Sequence, residues 1–456
     1  MRVMMLSWEY PPRIVGGISP HVADLSKRLV ERGIEVHVVT KATPQAPDEE
    51  VEPSGVVVHR VHLEAEPNDF VHEIQLLNRA TERRVRRLLE DWRPGGAPTV
   101  FHAHDWLSLD SARALKYEYQ LPIVATIHAT EEGRNAGLHT PLQRYIHEQE
   151  YWLTYEAWRV IVCSEYMRGE VMRSFNVPQD KIDVIFNGVD AAKFAFEASA
   201  AEVAQWRARI ALPEEKIVMY VGRFVREKGI QLLLEAIPAI LAEQPLTKFV
   251  IVGGGHRAQL EAFVKWYGIS EKVLFTGFMA NRSLIELYRS ADVAVFPSLY
   301  EPFGIVALEA MAAGIPVVAS DAGGLREVVL HDKTGTLCYA NDSASLAWAV
   351  LKVLGDPKRA SELSAAAKIR LQTDFEWGHI ADQTIAVYER VWREFLDSYW
   401  ADNTLWPVSP GATERAEKLR VREKAVTGEV RSSSTVPVMD PLMPQDADSP
   451  LELEAT

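Results

Sequence analysis

Cysteine is scarce in this chain of 456 residues: there are two, Cys163 and Cys338, far apart and each in an apolar context. That excludes a disulfide-built scaffold and fits two buried free thiols in a reducing compartment. No apolar run approaches the roughly 20 residues of a membrane span. The opening Met1-Arg2-Val3-Met4-Met5-Leu6-Ser7 is too short for a signal peptide and reads as a first strand. The expected location is the cytoplasm. An excess of cations is missing too. Lys and Arg number 49 against 63 Asp and Glu, a net charge of −14. That balance argues against a nucleic-acid surface, although a few basic residues gathered in one cleft can still hold an anionic ligand. No internal repeat is evident beyond two α/β halves.

What is present is a large core. Hydrophobic residues make up 47% of the chain and aromatics 9%, and the length suggests about three domains. The most informative stretch runs from Phe296 to Glu327. An apolar strand, Val293 to Phe296, leads through Glu301-Pro302-Phe303-Gly304 into a helix predicted over Ile305 to Ala313. A strand at Val317 to Ala319 and a Gly323-Gly324 turn follow. A helix N-terminus presents unpaired N–H groups and positive dipole, so Gly304, Ile305 and Val306 can hold a phosphate. Glu309, a little over one turn further on, can accept from the two hydroxyls of a ribose, while Glu301 faces whatever lies beyond the phosphates. Two carboxylates also serve glycosidases, but nothing fixes a facing geometry when both sit on one short segment.

The first half reads as parallel α/β. Strands are predicted at Val3–Leu6, Glu35–Thr40, Val56–Val61, Val100 onward, Ile123–Ile127, Arg159–Cys163 and Ile182–Phe186, with helices at His21–Glu31 and Asn78–Trp92. Gly16 and Gly17 follow the first strand and let backbone approach a ligand at a helix start. Ligands of open parallel sheets sit at the carboxyl ends of strands, where Asp105 and His128 both fall. His102, His104 and Asp105 suggest a metal only superficially. A strand alternates faces, so the two histidines share one side and Asp105 takes the other; no metal site is expected. In the second half, Val218–Val221 runs into Gly222-Arg223-Phe224-Val225-Arg226-Glu227-Lys228-Gly229. Arg223 and Lys228 suit a diphosphate, one as a bidentate fork and the other as a point charge. Gly253-Gly254-Gly255-His256-Arg257-Ala258 matches a dinucleotide turn, but the strand after it, Val273–Thr276, ends in Gly277-Phe278-Met279 with no acid to hold a ribose.

With these residues in view, the chain resembles the retaining family 4 glycosyltransferases, the group that includes the glycogen and starch synthases. The resemblance covers about residues 1–400. It rests on Glu301 and Glu309 around Pro302-Phe303-Gly304, on Gly222-Arg223 with Glu227-Lys228-Gly229, and on five motifs of the first half. Those are Glu9-Tyr10-Pro11-Pro12, Gly16-Gly17, His104-Asp105-Trp106, Thr126-Ile127-His128 and Asn187-Gly188-Val189-Asp190. Bacterial glycogen synthases carry a lysine two positions before the first glycine of the Gly16 loop; here that position is Ile14, beside Arg13. The chain looks closer to relatives that build other α-(1→4)-glucans, such as actinobacterial methylglucose-polysaccharide α-glucosyltransferases, whose counterpart of Ile127 to Arg134 is similar. The donor base stays open between ADP and UDP.

The resemblance implies the GT-B architecture, two Rossmann-like α/β domains facing a cleft. It implies an acceptor-side domain over 1–194, a linker at 195–212 and a nucleotide-sugar domain over 213–375. A helix over 376–400 would cross back to the first domain, and residues 401–456 read by composition as a disordered tail. The implied reaction moves glucose from a nucleotide-glucose to the non-reducing end of an α-glucan or maltooligosaccharide, with retention. His128, Arg223, Lys228 and Glu301 would act on the sugar and its leaving diphosphate. Gly16, Gly17, Asp105, Asn187, Phe303, Gly304, Ile305, Val306 and Glu309 would complete the donor site. No carboxylate nucleophile is evident beneath the anomeric carbon, which favours front-face attack assisted by the leaving diphosphate, with no metal or other cofactor. Two alternatives stand beside this reading: transfer of another hexose such as mannose to a different acceptor, and a silent nucleotide-sugar-binding protein on the same fold.

Overall fold

In the computed structural model, residues 1–404 are described apart from 93–95, 195–197 and 280. Two twisted sheets carry the chain. The first holds β1 (Arg2–Leu6), β2 (Glu35–Lys41), β3 (Glu49–Val51), β4 (Val57–Val61), β5 (Thr99–His104), β6 (Ile123–Ile127), β7 (Arg159–Val162) and β8 (Ile182–Val184). The second holds β9 (Lys216–Val221), β10 (Thr247–Val252), β11 (Val273–Gly277), β12 (Val293–Phe296), β13 (Val317–Ser320) and β14 (Thr336–Cys338). Every pairing is parallel except β3 with β4. Helices cover the faces, so the central strands are buried on both sides and read as continuous apolar runs. β1 and β12, for example, expose nothing along their length.

Strand order decides where a ligand can sit. In the first sheet it is β3-β4-β2-β1-β5-β6-β7-β8 and in the second β11-β10-β9-β12-β13-β14. The order reverses between β1 and β5 in one and between β9 and β12 in the other. At such a switch point the connections leave in opposite directions and open a crevice at the strands' carboxyl ends. Gly16-Gly17 follows β1, Asp105 follows β5, Arg223 and Lys228 follow β9, and Glu301 to Gly304 follow β12.

The helices form where their apolar spacing meets a sheet. Ile18–Val30 buries Val22, Leu25 and Leu29 at helical spacing against Val3 and Met5. The helix Trp377–Leu396 packs on the same surface with Trp377, Ile380, Val387, Tyr388 and Val391, so the chain returns to the first sheet. Arg390 pairs with Asp183 there at 2.6 Å. Phe186, Phe303 and Phe375 meet with ring centroids 5.5–5.9 Å apart and join the cores of the two halves. Polar bonds reinforce that join. Ser164 donates to the carbonyl of Pro302 at 2.6 Å, and the Glu327 carboxylate accepts from the backbone N–H of Glu165 and Tyr166, both at 2.8 Å.

Several expectations need correction. The helix predicted over Asn78–Trp92 begins at Phe70, because Ile74 and Leu77 continue its buried face upstream. The long last helix breaks at Asp397 and resumes at Tyr399–Asn403. Residues 401–403, assigned to the tail, therefore belong to that last helix, with Ala401 buried. The tail from 405 on lies outside the described residues. The glycine-rich turn after β10 lets two loops touch. A Cβ on Gly253 (φ +143°) would lie 1.9 Å from the carbonyl oxygen of Gly222, whereas one on Gly254 would meet nothing within 4 Å. Gly253→Ala should therefore destabilise the fold by about 2 kcal/mol or more, with Gly254→Ala nearly neutral; urea unfolding of the two variants checks the contrast, and equal midpoints would contradict it.

Candidate active site

The two switch points line one cleft of about 520 Å³. The first half contributes Trp8, Glu9, Gly16, Gly17, Phe70, Asp105, Trp106, His128, Glu131, Arg134, Glu150 and Asn187 to its wall; the second contributes Arg223, Lys228, Glu301, Phe303, Gly304, Ile305 and Val306. All but one of the expected site residues thus meet there. The exception is Glu309, which is absent from the wall. It lies half-buried on the helix Ile305–Ala313, and Tyr288 donates to its carboxylate at 3.1 Å.

Backbone strain marks the loop after β12. Gly304 takes φ +112°, a conformation that leaves no room for a side chain: a Cβ there would lie 2.7 Å from Leu325. Gly304 is the first residue before the helix, and no side chain caps the N–H groups that follow. Those free donors and the helix dipole make a ready anion seat. Beside it, Lys228 Nζ donates to Glu301 Oε2 at 2.6 Å, and Ser298 donates to the same oxygen at 3.1 Å. Arg223 is more exposed and reaches Glu227 at 3.3 Å. Phe303 borders the cleft, but its ring is spent in the core against Phe186 and Phe375.

On the opposite wall, carboxylates fix backbone rather than face the cleft freely. Glu9, almost fully buried, accepts from the backbone N–H of Val15 and of Gly16 and so holds the glycine loop in place. Asp105 (φ +57°) accepts from the backbone N–H of His128 at 2.7 Å; burial raises its pKa to about 6. Glu150 accepts from the N–H of Glu131 at 2.9 and 3.1 Å, and burial pushes it well above the usual carboxylate range. Tyr300 crosses from the second half to donate to Glu170 at 2.7 Å. None of Glu9, Glu131, Glu150 or Tyr300 was singled out from sequence. Glu9 stood inside a quoted motif, but nothing in the pattern shows that it binds a loop six residues ahead.

A histidine cluster lies behind the cleft, and His128 reaches its wall. His21, His104 and His128 bring ring nitrogens within 4.8 Å of one another, the one such cluster found among the described residues. Burial holds His21 and His104 well below the ordinary histidine pKa and lowers His128 to about 4, so all three are neutral at physiological pH. A neutral imidazole can ligate a metal, but His104 Nδ1 and His128 Nε2 are engaged with each other at 3.1 Å. His102 and His104 do share one face of β5, as the alternation of a strand requires, with rings 4.2 Å apart.

The fold and this cleft define the class, and the comparisons agree. The model for Glycosyltransferase Family 4 matches residues 15–193, and the one for glycosyl transferases group 1 matches 202–370. The chain is 39% identical over 391 residues to an uncharacterized glycosyltransferase of Methanocaldococcus jannaschii, covering 85% of this chain and 98% of that one. It is 38% identical to the glycogen synthase of Mycobacterium tuberculosis, covering 85% and 94%. It is 31% identical to a D-inositol 3-phosphate glycosyltransferase of Xylanimonas cellulosilytica, covering 82% and 91%. The solved structure of sucrose-phosphate synthase from Thermosynechococcus elongatus superposes with a TM-score of 0.74 at 28% identity, covering 86% and 99%. The chain belongs to this family of GT-B glycosyltransferases.

The surroundings of Glu309 carry a pH consequence. Burial, its largest influence, raises its pKa to about 7. The folded protein keeps the proton up to about that pH, while the unfolded chain releases it near the ordinary carboxylate value of about 4.3. Stability therefore falls as pH rises between the two and stays lowered above. Glu309→Gln should melt above the wild type at pH 8, with the difference shrinking as pH falls and vanishing below about pH 4; a difference independent of pH in calorimetry would contradict the assignment.

Proposed function

We propose that the protein transfers glucose from a nucleotide-glucose, ADP- or UDP-linked, to the non-reducing end of an α-(1→4)-glucan, with retention at the anomeric carbon. The observation that carries the reading is the convergence of a cationic loop, an uncapped helix N-terminus and the neutral His128 on one cleft. The diphosphate would lie on Arg223, Lys228 and the N–H groups of Ile305 and Val306. Glu301 and His128 would reach the sugar; Glu309, off the cleft wall and bonded to Tyr288, would reach the ribose only by turning from that partner. Donor binding would then exchange the Lys228–Glu301 bond for two new ones, Lys228 to diphosphate and Glu301 to sugar hydroxyl. As the glycosidic bond breaks, charge grows on the diphosphate, and a fixed cation there is worth more in the transition state than in the bound donor. The acceptor hydroxyl would enter from the same face, its proton passing to the leaving diphosphate.

The acceptor half supports a neutral polyhydroxyl partner. Its wall combines the faces of Trp8, Phe70 and Trp106, in successive ring contact at 5.8 and 6.1 Å, with the acids Glu9, Asp105, Glu131 and Glu150. Its cation Arg134 is already paired with Glu131 at 3.4 Å. Aromatic faces and polar groups suit a sugar; a phosphorylated acceptor would have to draw Arg134 away from Glu131. No metal enters this scheme, since cations and the helix dipole take the charge.

The decisive assay offers ADP-glucose, UDP-glucose and GDP-mannose with and without maltooligosaccharide, in excess EDTA, and measures nucleoside diphosphate released. The expected result is acceptor-dependent release from one glucose donor. Release from GDP-mannose alone, or none, would overturn the reading, and activity that needs a divalent ion would overturn its metal-free part. In the same assay Lys228→Ala, folded by circular dichroism, should lose about a hundredfold or more in kcat with a smaller change in donor KM, because Arg223 and the helix end remain. A kcat within about twofold of wild type, as for an ordinary surface lysine, would remove Lys228 from the chemistry.

A further inference from the structure

Beneath His128 the structure holds a polar arrangement that the transfer scheme does not use. His104 ends β5, fully buried, and His128 follows β6; the parallel register that sets His104 beside Thr126 brings the two rings together. His104 Nδ1 and His128 Nε2 lie 3.1 Å apart. Between two neutral rings one nitrogen must carry the hydrogen, and it can carry it in two ways. If His128 donates from Nε2, then His104 accepts at Nδ1 and must bear its own hydrogen on Nε2. If His104 donates from Nδ1, its Nε2 is a bare lone pair and His128 bears its hydrogen on Nδ1.

The far side of His104 discriminates between them. His104 Nε2 is buried with no hydrogen-bond partner among the described residues. Its neighbour His102 is satisfied at both nitrogens, by Tyr388 and Thr126, each at 2.7 Å, and has nothing to offer it. A small cavity of about 10 Å³ nearby is lined by His21, His102, Thr126 and Asn187, not by His104. A hydrogen on Nε2 would be stranded there, whereas on Nδ1 it is spent in the bond to His128. The arrangement with the bare Nε2 therefore wins.

We propose that His104 is a positioning residue that fixes the His128 imidazole with its hydrogen on Nδ1, so that His128 offers the cleft a hydrogen-bond donor and not an acceptor. Nε2 of His128 is already engaged, and the residue is partly open to the cleft, which leaves Nδ1 to face a ligand. Given the reading of this cleft as a sugar site, the donor selects an oxygen lone pair of the transferred sugar. The hydroxyl it holds is then free to donate its own hydrogen to a carboxylate such as Glu301.

The test is a long-range proton–nitrogen correlation spectrum of the full-length protein with labelled histidines at pH 7.5, His128 being assigned by the signals lost in His128→Asn. The expected pattern for both His104 and His128 is a protonated Nδ1 and a bare Nε2. A His128 protonated at Nε2, or carrying a metal-bound nitrogen, overturns the proposal. His104→Phe should release the constraint, giving His128 mixed or Nε2-protonated signals and raising donor KM about three- to tenfold with less effect on kcat, the range of one lost hydrogen bond. His104→Gln, which keeps an N–H donor, should restore most of both. Unchanged His128 signals in a folded His104→Phe overturn it. If that variant does not fold, the wild-type spectrum decides alone. Because the spectrum is read without donor or acceptor, it stands or falls independently of which sugar is transferred.

Discussion

On the proposed reading, the bond between Lys228 and Glu301 is the contact on which the cleft's chemistry depends. It joins the loop after β9 to the loop after β12, the two strands where the order of the second sheet reverses. Without a ligand, each partner satisfies a charge that would otherwise stand in a half-enclosed site, Lys228 with 23% and Glu301 with 9% of its side chain exposed. A pair this enclosed stabilises little, because desolvation offsets most of the attraction, but removing one partner leaves the other charge stranded. The arrangement thus suits a site whose partners are exchanged on binding rather than a structural clamp. The lasting connection between the halves comes from elsewhere: the Phe186, Phe303 and Phe375 cluster, and the Glu327 carboxylate on the start of the helix Glu165–Phe175.

Much of this was legible in the sequence because the fold writes itself in strands. Ile123–Ile127 and Val293–Phe296 are short apolar runs bounded by polar residues, and both boundaries fell where expected. The helix Ile305–Ala313 was legible from the glycines at its two ends, Gly304 and Gly314, each in a left-handed conformation. Parallel order then placed every loop that carries chemistry at a strand's carboxyl end. The first turns of the helix Phe70–Trp92 were missed because Phe70 to Leu77 follows a polar loop and carries no cap that sequence alone makes visible.

What sequence could not give was pairing. Nothing in the spacing says that Asp105 would spend its carboxylate on the His128 backbone, that Glu9 would pin the glycine loop, or that Glu309 would turn toward Tyr288. The first and last of these join residues 23 and 21 positions apart, set by strand order and by the backbone turns at Asp105 and Gly304. The carboxylates of the first half look alike in sequence. Only burial separates those that hold backbone from those open to a substrate.

If Lys228 and Glu301 hold each other's place until the donor arrives, Glu301→Gln should behave in an unusual way. That substitution removes the charge that competes with the diphosphate for Lys228 while keeping size and shape. Titration calorimetry of the nucleoside diphosphate product, which lacks the sugar, should therefore show binding tighter than wild type by about three- to tenfold, the equivalent of about one hydrogen bond freed, even as turnover falls. Unchanged or weaker binding of the diphosphate by the folded variant would contradict the exchange, and with it the placing of the leaving group on Lys228.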